Sequence, residues 1–350
     1  MGTDKKKGFP SLRQGHYWLV FFLLLLGLAF FLLPLSTQRD EERVSAGEPV
    51  KVRIGLAMQP TSSLGIIAAH QGYFEDENIE AVVSEYPSGK RALRDGLFQK
   101  NVDVAVSADV PVTMAALEKK RFRILAATFN AGNINRVIAR SDHDIRTPAD
   151  LAGKRVATQR ASAVHFFLEL FMGEHGLTNE QLTLSYMKAE KLPQALAEGR
   201  IDAFSMREPY ISQAKSLLGD RAVVFSAPGL YRQIDMLLIS DEMLSANPDV
   251  AAKLLRAFRK AEVFADQQKE KAIAIVAERI GVEVEKIRVI WPSLKLRISL
   301  EQFHLLLLES EARWAIRNGL TDATEMPDFM EYIDFRGLEE VDPEAITIFR

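Results

Sequence analysis

At 350 residues the chain is long enough for about two domains, taking ~150 residues for each. Its 47% hydrophobic and 26% charged content is that of a folded globular protein, and a net charge of -3 without clustered Lys and Arg speaks against a nucleic-acid surface. Cysteine is absent, which excludes disulfides, thiolate metal sites, cysteine nucleophiles and lipid attachment through an N-terminal cysteine.

Residues 1–16 are a basic segment carrying Lys5, Lys6, Lys7 and Arg13, followed by an almost unbroken apolar run from Tyr17 to Leu35. As a helix this run spans roughly 28 Å, close to the ~30 Å hydrocarbon core of a bilayer. The basic flank predicts a cytoplasmic start and an exported remainder. The run exceeds the roughly 7–15 residues of a cleaved signal core, and Val44-Ser45-Ala46, the nearest small-x-small site, lies far from it. A retained single-pass anchor in a bacterial cytoplasmic membrane is therefore expected over 17–35, with an uncleaved or cleaved signal as the alternative. The polar, aperiodic stretch 36–50 reads as a tether.

From Lys51 the pattern alternates strand and helix. Strands are predicted over 52–57, 79–84, 102–106 and 123–129, with helices over 64–70, 90–99 and 112–120 between them. After a crossover strand at 136–140, a second unit runs from 137 to 229. Its strands are predicted over 155–158, 183–187, 201–205 and 222–225, and its helices over 163–174, 192–198 and 208–218. A further strand, Met236–Ile239, returns to the first unit. Beyond Asn247 the chain is helical, with stripes such as Leu254, Leu255, Phe258, Ala261, Val263 and Phe264 assigned to packing.

The two units repeat one another about 100 positions apart. Val52-Arg53-Ile54 leads into Gln59-Pro60-Thr61-Ser62 as Lys154-Arg155-Val156 leads into Gln159-Arg160-Ala161-Ser162. Each has an apolar helix ending at glycine, Gly72 or Gly176, and each has an Asp-bearing strand, at Asp103 or Asp202. The fold class expected is α/β and two-lobed, each lobe a mostly parallel sheet with flanking helices. Residues 51–136 and 230–350 form one lobe and 137–229 the other, joined by two crossovers and preceded by the transmembrane helix.

In open α/β sheets ligands collect beyond the carboxyl ends of the strands, where loops enter helices whose N-termini favour anions. Candidate ligand contacts at such positions are Gln59, Thr61, Ser62, Ser107, Ala108, Asp109, Asn130, Arg160, Ser162, His165, Arg207, Glu208, Tyr231 and Asp235. Arg160 and Arg207 offer planar forks for a carboxylate, sulfonate or phosphate-like group. Plainer roles stand beside these. Thr61, Ser62 and Asp109 suit helix caps, Arg207 suits a local pair with Glu208, and His165 suits a core or rim position. Tyr231 and Asp235 suit a hinge brace. No GxSxG, HExxH, Gly-rich phosphate loop or carboxylate–histidine cluster occurs, so neither an enzyme nor a metal or cofactor is expected.

The ordered motifs 147–157 (TPADLAGKRVA), Ser162-Ala163-Val164-His165, 195–203 (ALAEGRIDA), Glu208-Pro209-Tyr210, His70-Gln71-Gly72-Tyr73-Phe74 and 341–347 (VDPEAIT) resemble the periplasmic solute-binding proteins of ABC importers. The similarity is to the branch handling nitrate, sulfonates, taurine and thiamine-pyrimidine precursors, and covers roughly residues 50–348. It implies a type II periplasmic-binding-protein fold that closes on a small anionic solute and hands it to membrane permease subunits. Arg207 stands where the family often has an aromatic residue, which favours an anion over a stacked pyrimidine. The apolar run without a lipidated cysteine also departs from many relatives. It leaves a membrane-tethered sensor, with the bilayer engaged through 17–35 and the main domain facing the periplasm or exterior, as a rival to the importer component. A pyrimidine-synthesis-type enzyme on the same fold is the third reading, weakened by the missing cysteine.

Overall fold

The computed structural model describes residues 48–350, together with Met1 and Gly2. Glu48–Arg350 form one compact unit. The expected anchor over 17–35 lies outside the described residues. Among those described, no helix is long and apolar enough to cross a membrane.

Among the described residues ten strands form two sheets: β1 (Val50–Ala57), β2 (Ile79–Tyr86), β3 (Val104–Ala108), β4 (Arg123–Ala131), β5 (Arg136–Arg140), β6 (Arg155–Thr158), β7 (Thr183–Tyr186), β8 (Ala203–Met206), β9 (Ala222–Phe225) and β10 (Gln233–Ile239). The first sheet has the order β2-β1-β3-β10-β4 and the second β7-β6-β8-β5-β9. The two orders are one pattern used twice. In the first, β1 pairs in parallel with β2 and β3, and β10 lies antiparallel between β3 and β4. In the second, β6 pairs in parallel with β7 and β8, and β5 lies antiparallel between β8 and β9.

Mostly parallel sheets were expected; both sheets are mixed. The cause is the crossovers. β5 and β10 each arrive from the opposite lobe, enter at the end where their neighbours stop, and so run against them. The crossovers, 132–135 and 226–232, touch each other. Gly229 donates its N–H to the Gly132 carbonyl at 2.8 Å, and its φ of +80° is a conformation that glycine adopts without a Cβ penalty.

The sequence repeat is also a repeat of bonding. The Asp103 carboxylate accepts from Arg53 N (2.9 Å), Nε (3.0 Å) and Nη2 (2.5 Å). The Asp202 carboxylate accepts from Arg155 N (2.8 Å), Nε (3.1 Å) and Nη2 (2.6 Å), and also contacts His143 Nδ1 at 2.7 Å. The paired Asp residues therefore pin the start of each lobe's central strand. They are framework.

Helices α1 (Ser63–Gln71), α2 (Asp109–Leu117), α3 (Ala163–Glu174) and α4 (Tyr210–Leu218) follow β1, β3, β6 and β8. The C-terminal helices α5 (Val250–Gln267), α6 (Lys269–Ile280), α7 (Val284–Ile290) and α8 (Gln302–Arg317) complete the first lobe. There α5 and α6 pack on α1, and α8 packs on α2. Leu254, Leu255, Phe258 and Ala261 are fully buried as the stripe predicts, but Val263 is 42% exposed and belongs to the outer face. The main apolar core runs through both lobes, joining Phe129 and Ile234 to Val137, Phe166 and Phe171. A smaller core around Ile138, Leu192, Phe204 and Ile211 belongs to the second lobe alone.

Candidate functional site

The carboxyl ends of the parallel strands in the two sheets meet at the interlobe boundary. The Tyr210 hydroxyl donates to the Pro87 carbonyl (2.9 Å), Gln159 Nε2 donates to Ser88 Oγ (3.3 Å), and the Lys90 ammonium donates to the Arg160 and Ala161 carbonyls. The lobes are thus in contact, with side chains of each bonded to the other.

Arg207, immediately after β8, sits at the centre of this boundary and is 4% exposed. Its Nε donates to Gln59 Oε1 (2.9 Å) after β1, and its Nη1 donates to Gln233 Oε1 (2.6 Å) at the start of β10. Gln233 Oε1 also accepts from Asn135 Nδ2 (3.2 Å), while its Nε2 donates to Asp235 Oδ1 (2.6 Å). Gln59 is held in turn by the Pro87 carbonyl (3.0 Å). Every acceptor bonded to the guanidinium is therefore a neutral amide, and no carboxylate among the described residues pairs with it. Two of its five N–H donors are engaged and three remain. A buried cation without an anionic partner is costly, so the arrangement is balanced when an anion joins it.

Arg207 lines a cavity of 490 Å³ between the lobes. Arg136, Lys215 and Lys286 share its wall, against Glu208 as its one acid, and Phe129, Ile134, Ile211, Val224, Val289 and Ile290 make the remainder largely apolar. Burial lowers the affinity of Arg136 for its proton, and the nearby Glu208 opposes that shift. Glu208 itself accepts from the Ser212 N–H of α4 (3.1 Å), so the local Arg207–Glu208 pair is not formed.

Thr61 is on the same wall, at the turn that opens α1. Neither Thr61 nor Ser62 caps that helix through its side chain. Thr61 is near enough to Asp235 to favour the charged carboxylate, while the Ser62 hydroxyl is buried without a partner. Burial raises the Asp235 pKa, with Arg207, Gln233 and Thr61 opposing it.

Arg160 is not brought to this cavity. It is exposed, with its guanidinium 5.9 Å from the centre of the Tyr186 ring, and it lines a separate hollow with Lys90, Arg94 and Lys120. The expectation that Arg160 and Arg207 grip one anion is corrected on this point. Ser162 caps α3 by position, but its hydroxyl turns back to the Gln159 carbonyl (2.5 Å). His165 Nδ1 accepts from the Ala161 N–H (3.3 Å), holding that alanine at a left-handed φ of +48°. Its pKa is lowered to about 4 by burial and by the nearby Arg160 and Lys90 charges, so the ring is a neutral loop brace.

Asp109 and Tyr231 belong to another buried cluster. Asp109 is the first residue of α2 rather than its cap, which is Ala108. Its carboxyl accepts from Val110 N (2.8 Å), Ile234 N (2.9 Å) and the Tyr231 hydroxyl (2.5 Å). That hydroxyl also lies 3.3 Å from Glu311 Oε1, and Thr113 donates to Glu311 Oε2 at 2.9 Å. Burial pushes Asp109 up to about 7 and Glu311 well above the usual carboxylate range. Ser107 is fully buried, its hydroxyl only 3.5 Å from the Ala108 carbonyl, and Asn130 Oδ1 accepts from Arg232 Nε (3.3 Å). Among the described residues no group of three or more His, Asp or Glu is placed to hold a metal.

Gln233, Asn135 and Glu311 were missed from the sequence. Gln233 and Asp235 share a strand face at spacing two, a signal lost because the strand was started at Met236. Glu311 was legible as a lone acid among Leu307, Leu308, Ala312, Trp314 and Ala315 of α8, all buried.

Comparison with known proteins agrees with this architecture. The model of the family described as NMT1/THI5 like matches residues 59–272. A candidate aliphatic sulfonates-binding protein of Escherichia coli (strain K12) is 25% identical over 238 residues, 67% of this chain and 73% of that one. The alkanesulfonate-binding protein SsuA from Xanthomonas axonopodis pv. citri, bound to MOPS, has a similar structure, with a TM-score of 0.70 at 20% identity over 83% of this chain and 99% of that one. So has the periplasmic nitrate-binding protein NrtA from Synechocystis PCC 6803, with a TM-score of 0.69 at 14% identity over 85% and 89%. At these identities the two structures establish the periplasmic-binding-protein fold.

Proposed function

Since the chain belongs to the NMT1/THI5-like family, we propose that it is the solute-binding component of an ABC importer, capturing a small organic oxyanion between its lobes. One observation carries this reading: the buried Arg207 guanidinium is bonded only to neutral amides and lines the interlobe cavity. Its three remaining N–H donors suit a sulfonate or carboxylate, whose oxygens accept in a plane or cone that a guanidinium fork matches. The Thr61 hydroxyl lies on the same cavity wall.

The cavity wall narrows the class. Four cations against one acid select negative charge, while six apolar side chains favour an attached hydrocarbon portion. A volume of 490 Å³ lies within the ~300–1,000 Å³ of small-molecule pockets. An aliphatic sulfonate satisfies these features better than bare nitrate does, and the named sulfonate-binding relatives support the choice. Closure around the ligand sheds water and strengthens its bonds.

The basic segment and apolar run 17–35 lead us to place the binding domain on the outer face of a bacterial cytoplasmic membrane, beside permease subunits. Fractionation with a topology reporter fused after Arg350 tests this; a soluble, cytoplasmic reporter signal overturns it. Calorimetric titration of the full chain in detergent with butanesulfonate and with nitrate tests the ligand class. Saturable sulfonate binding is expected, and its absence overturns the reading.

A further inference from the structure

We infer that Gln233 is a positioning residue that keeps Arg207 charged but unneutralised, so that the cavity selects an anion; the inference rests on the reading above. The geometry makes the side chain's chemistry specific. A guanidinium only donates and a carboxylate accepts, so an amide between them fits in one orientation, Oε1 towards Arg207 and Nε2 towards Asp235. Asn135, on the crossover, donates to the same Oε1 and fixes that orientation from the third side. Asp235 is the acid behind this relay, and its carboxyl group stays one side chain away from Arg207. Gln59 repeats the arrangement from β1, with Oε1 on Arg207 Nε and Nε2 on the Pro87 carbonyl. Two neutral amides thus place the guanidinium by hydrogen bonds without cancelling its charge. A carboxylate in place of Gln233 would hold Arg207 equally well but cancel the charge that attracts an anionic ligand. Selectivity for an anion is a difference of affinities, and here it is set by what the protein withholds from the cation.

The test moves one negative charge by one side chain. Gln233→Glu combined with Asp235→Asn conserves net charge and exchanges the carboxylate and the amide, so that the acid meets Arg207. Titrations of the full chain compare butanesulfonate with the neutral butanesulfonamide. The double variant is expected to bind the sulfonate at least tenfold more weakly than the parent while keeping its affinity for the sulfonamide, so the ratio between the two collapses. A merely structural role would weaken both probes together, and that outcome overturns the inference. So does a variant that binds the sulfonate within threefold of the parent. Gln233→Met, which removes the amide without supplying a charge, provides the second variant; it should retain a preference for the sulfonate over the sulfonamide, and loss of that preference counts against the inference. If the parent shows no sulfonate binding at all, the functional reading falls and this inference falls with it.

Discussion

The bond from Arg207 Nε to Gln59 Oε1, 2.9 Å long, joins the residue after β8 in one sheet to the loop after β1 in the other. They are different corners of the repeated unit, since β8 corresponds to β3 and β1 to β6, and the fold brings them face to face. Arg207 is therefore both a tie between the lobes and the cationic centre of the cavity, which makes it the first residue to alter. Arg207→Met should abolish stabilisation by butanesulfonate, which in the parent reaches about 2.7 kcal/mol at a concentration one hundred times Kd. Without ligand the variant should change little in stability, because relief of an unpaired buried charge is opposed by the two amide oxygens of Gln59 and Gln233 that lose a donor. Thermal unfolding with and without the sulfonate checks both halves; a full shift in the variant contradicts the role given to Arg207.

The paired framework carboxylates should differ in weight. Each accepts three hydrogen bonds from an arginine, but Asp202 also contacts His143. Asp202→Ala should cost about 2–3 kcal/mol and Asp103→Ala somewhat less, since buried carboxylates accepting charge-assisted bonds are expensive to delete. Urea unfolding of the two variants gives the comparison, and equal costs would mean that the histidine contact adds nothing.

Stability should depend on pH from two sides. The Arg155 bonds, and behind them His143, hold the Asp202 carboxyl well below its ordinary value, outweighing its burial. Its contribution is complete above about pH 4, the unfolded value, and is lost as pH falls further. Asp109 behaves oppositely. Its pKa is raised to about 7, so the folded state holds a proton that the unfolded state releases near pH 4. Stability from that proton is complete below about pH 4 and declines as pH rises to about 7. The Asp109 contribution should therefore fall between pH 5 and 7, against the rise supplied by the buried neutral His165, so Asp109→Asn should shift the slope of the urea midpoints towards increase with pH; an unchanged slope in the variant would place the titration elsewhere.

Gly89 opens the helical segment after β2, where its backbone lies against β3. A Cβ built there sits 2.9 Å from Ser107 Cα and 3.1 Å from the Val106 carbonyl oxygen, both backbone atoms. Gly89→Ala should destabilise by about 1–3 kcal/mol through forced separation of the two segments. Chemical denaturation measures it, and a cost below ~0.5 kcal/mol would show that the backbone can give way.

Much of the architecture was readable in advance because it is local. Strand and helix periods and the αL glycines at Gly72 and Gly176 are encoded within short windows, and the structure places them close to the expected bounds, whereas the Arg53–Asp103 and Arg155–Asp202 pairs join residues 50 and 47 positions apart and emerge only in the fold. The antiparallel placement of β5 and β10 was not readable, because direction within a sheet depends on where a crossover delivers the chain. The site was legible only in part for the same reason. Arg160 and Arg207 occupy similar sequence contexts, at the ends of β6 and β8, yet one is exposed against Tyr186 and the other buried between two glutamines.

Composition, periodicity and the internal repeat thus determined a two-sheet α/β chain whose polar corners gather at strand ends. Which corner becomes the cationic centre was decided only by the tertiary structure, since the charge on Arg207 acquires meaning from Gln59 and Gln233, 148 and 26 positions away. A side chain's type is written in the sequence, but whether its charge is cancelled, screened or left open depends on neighbours that only folding supplies.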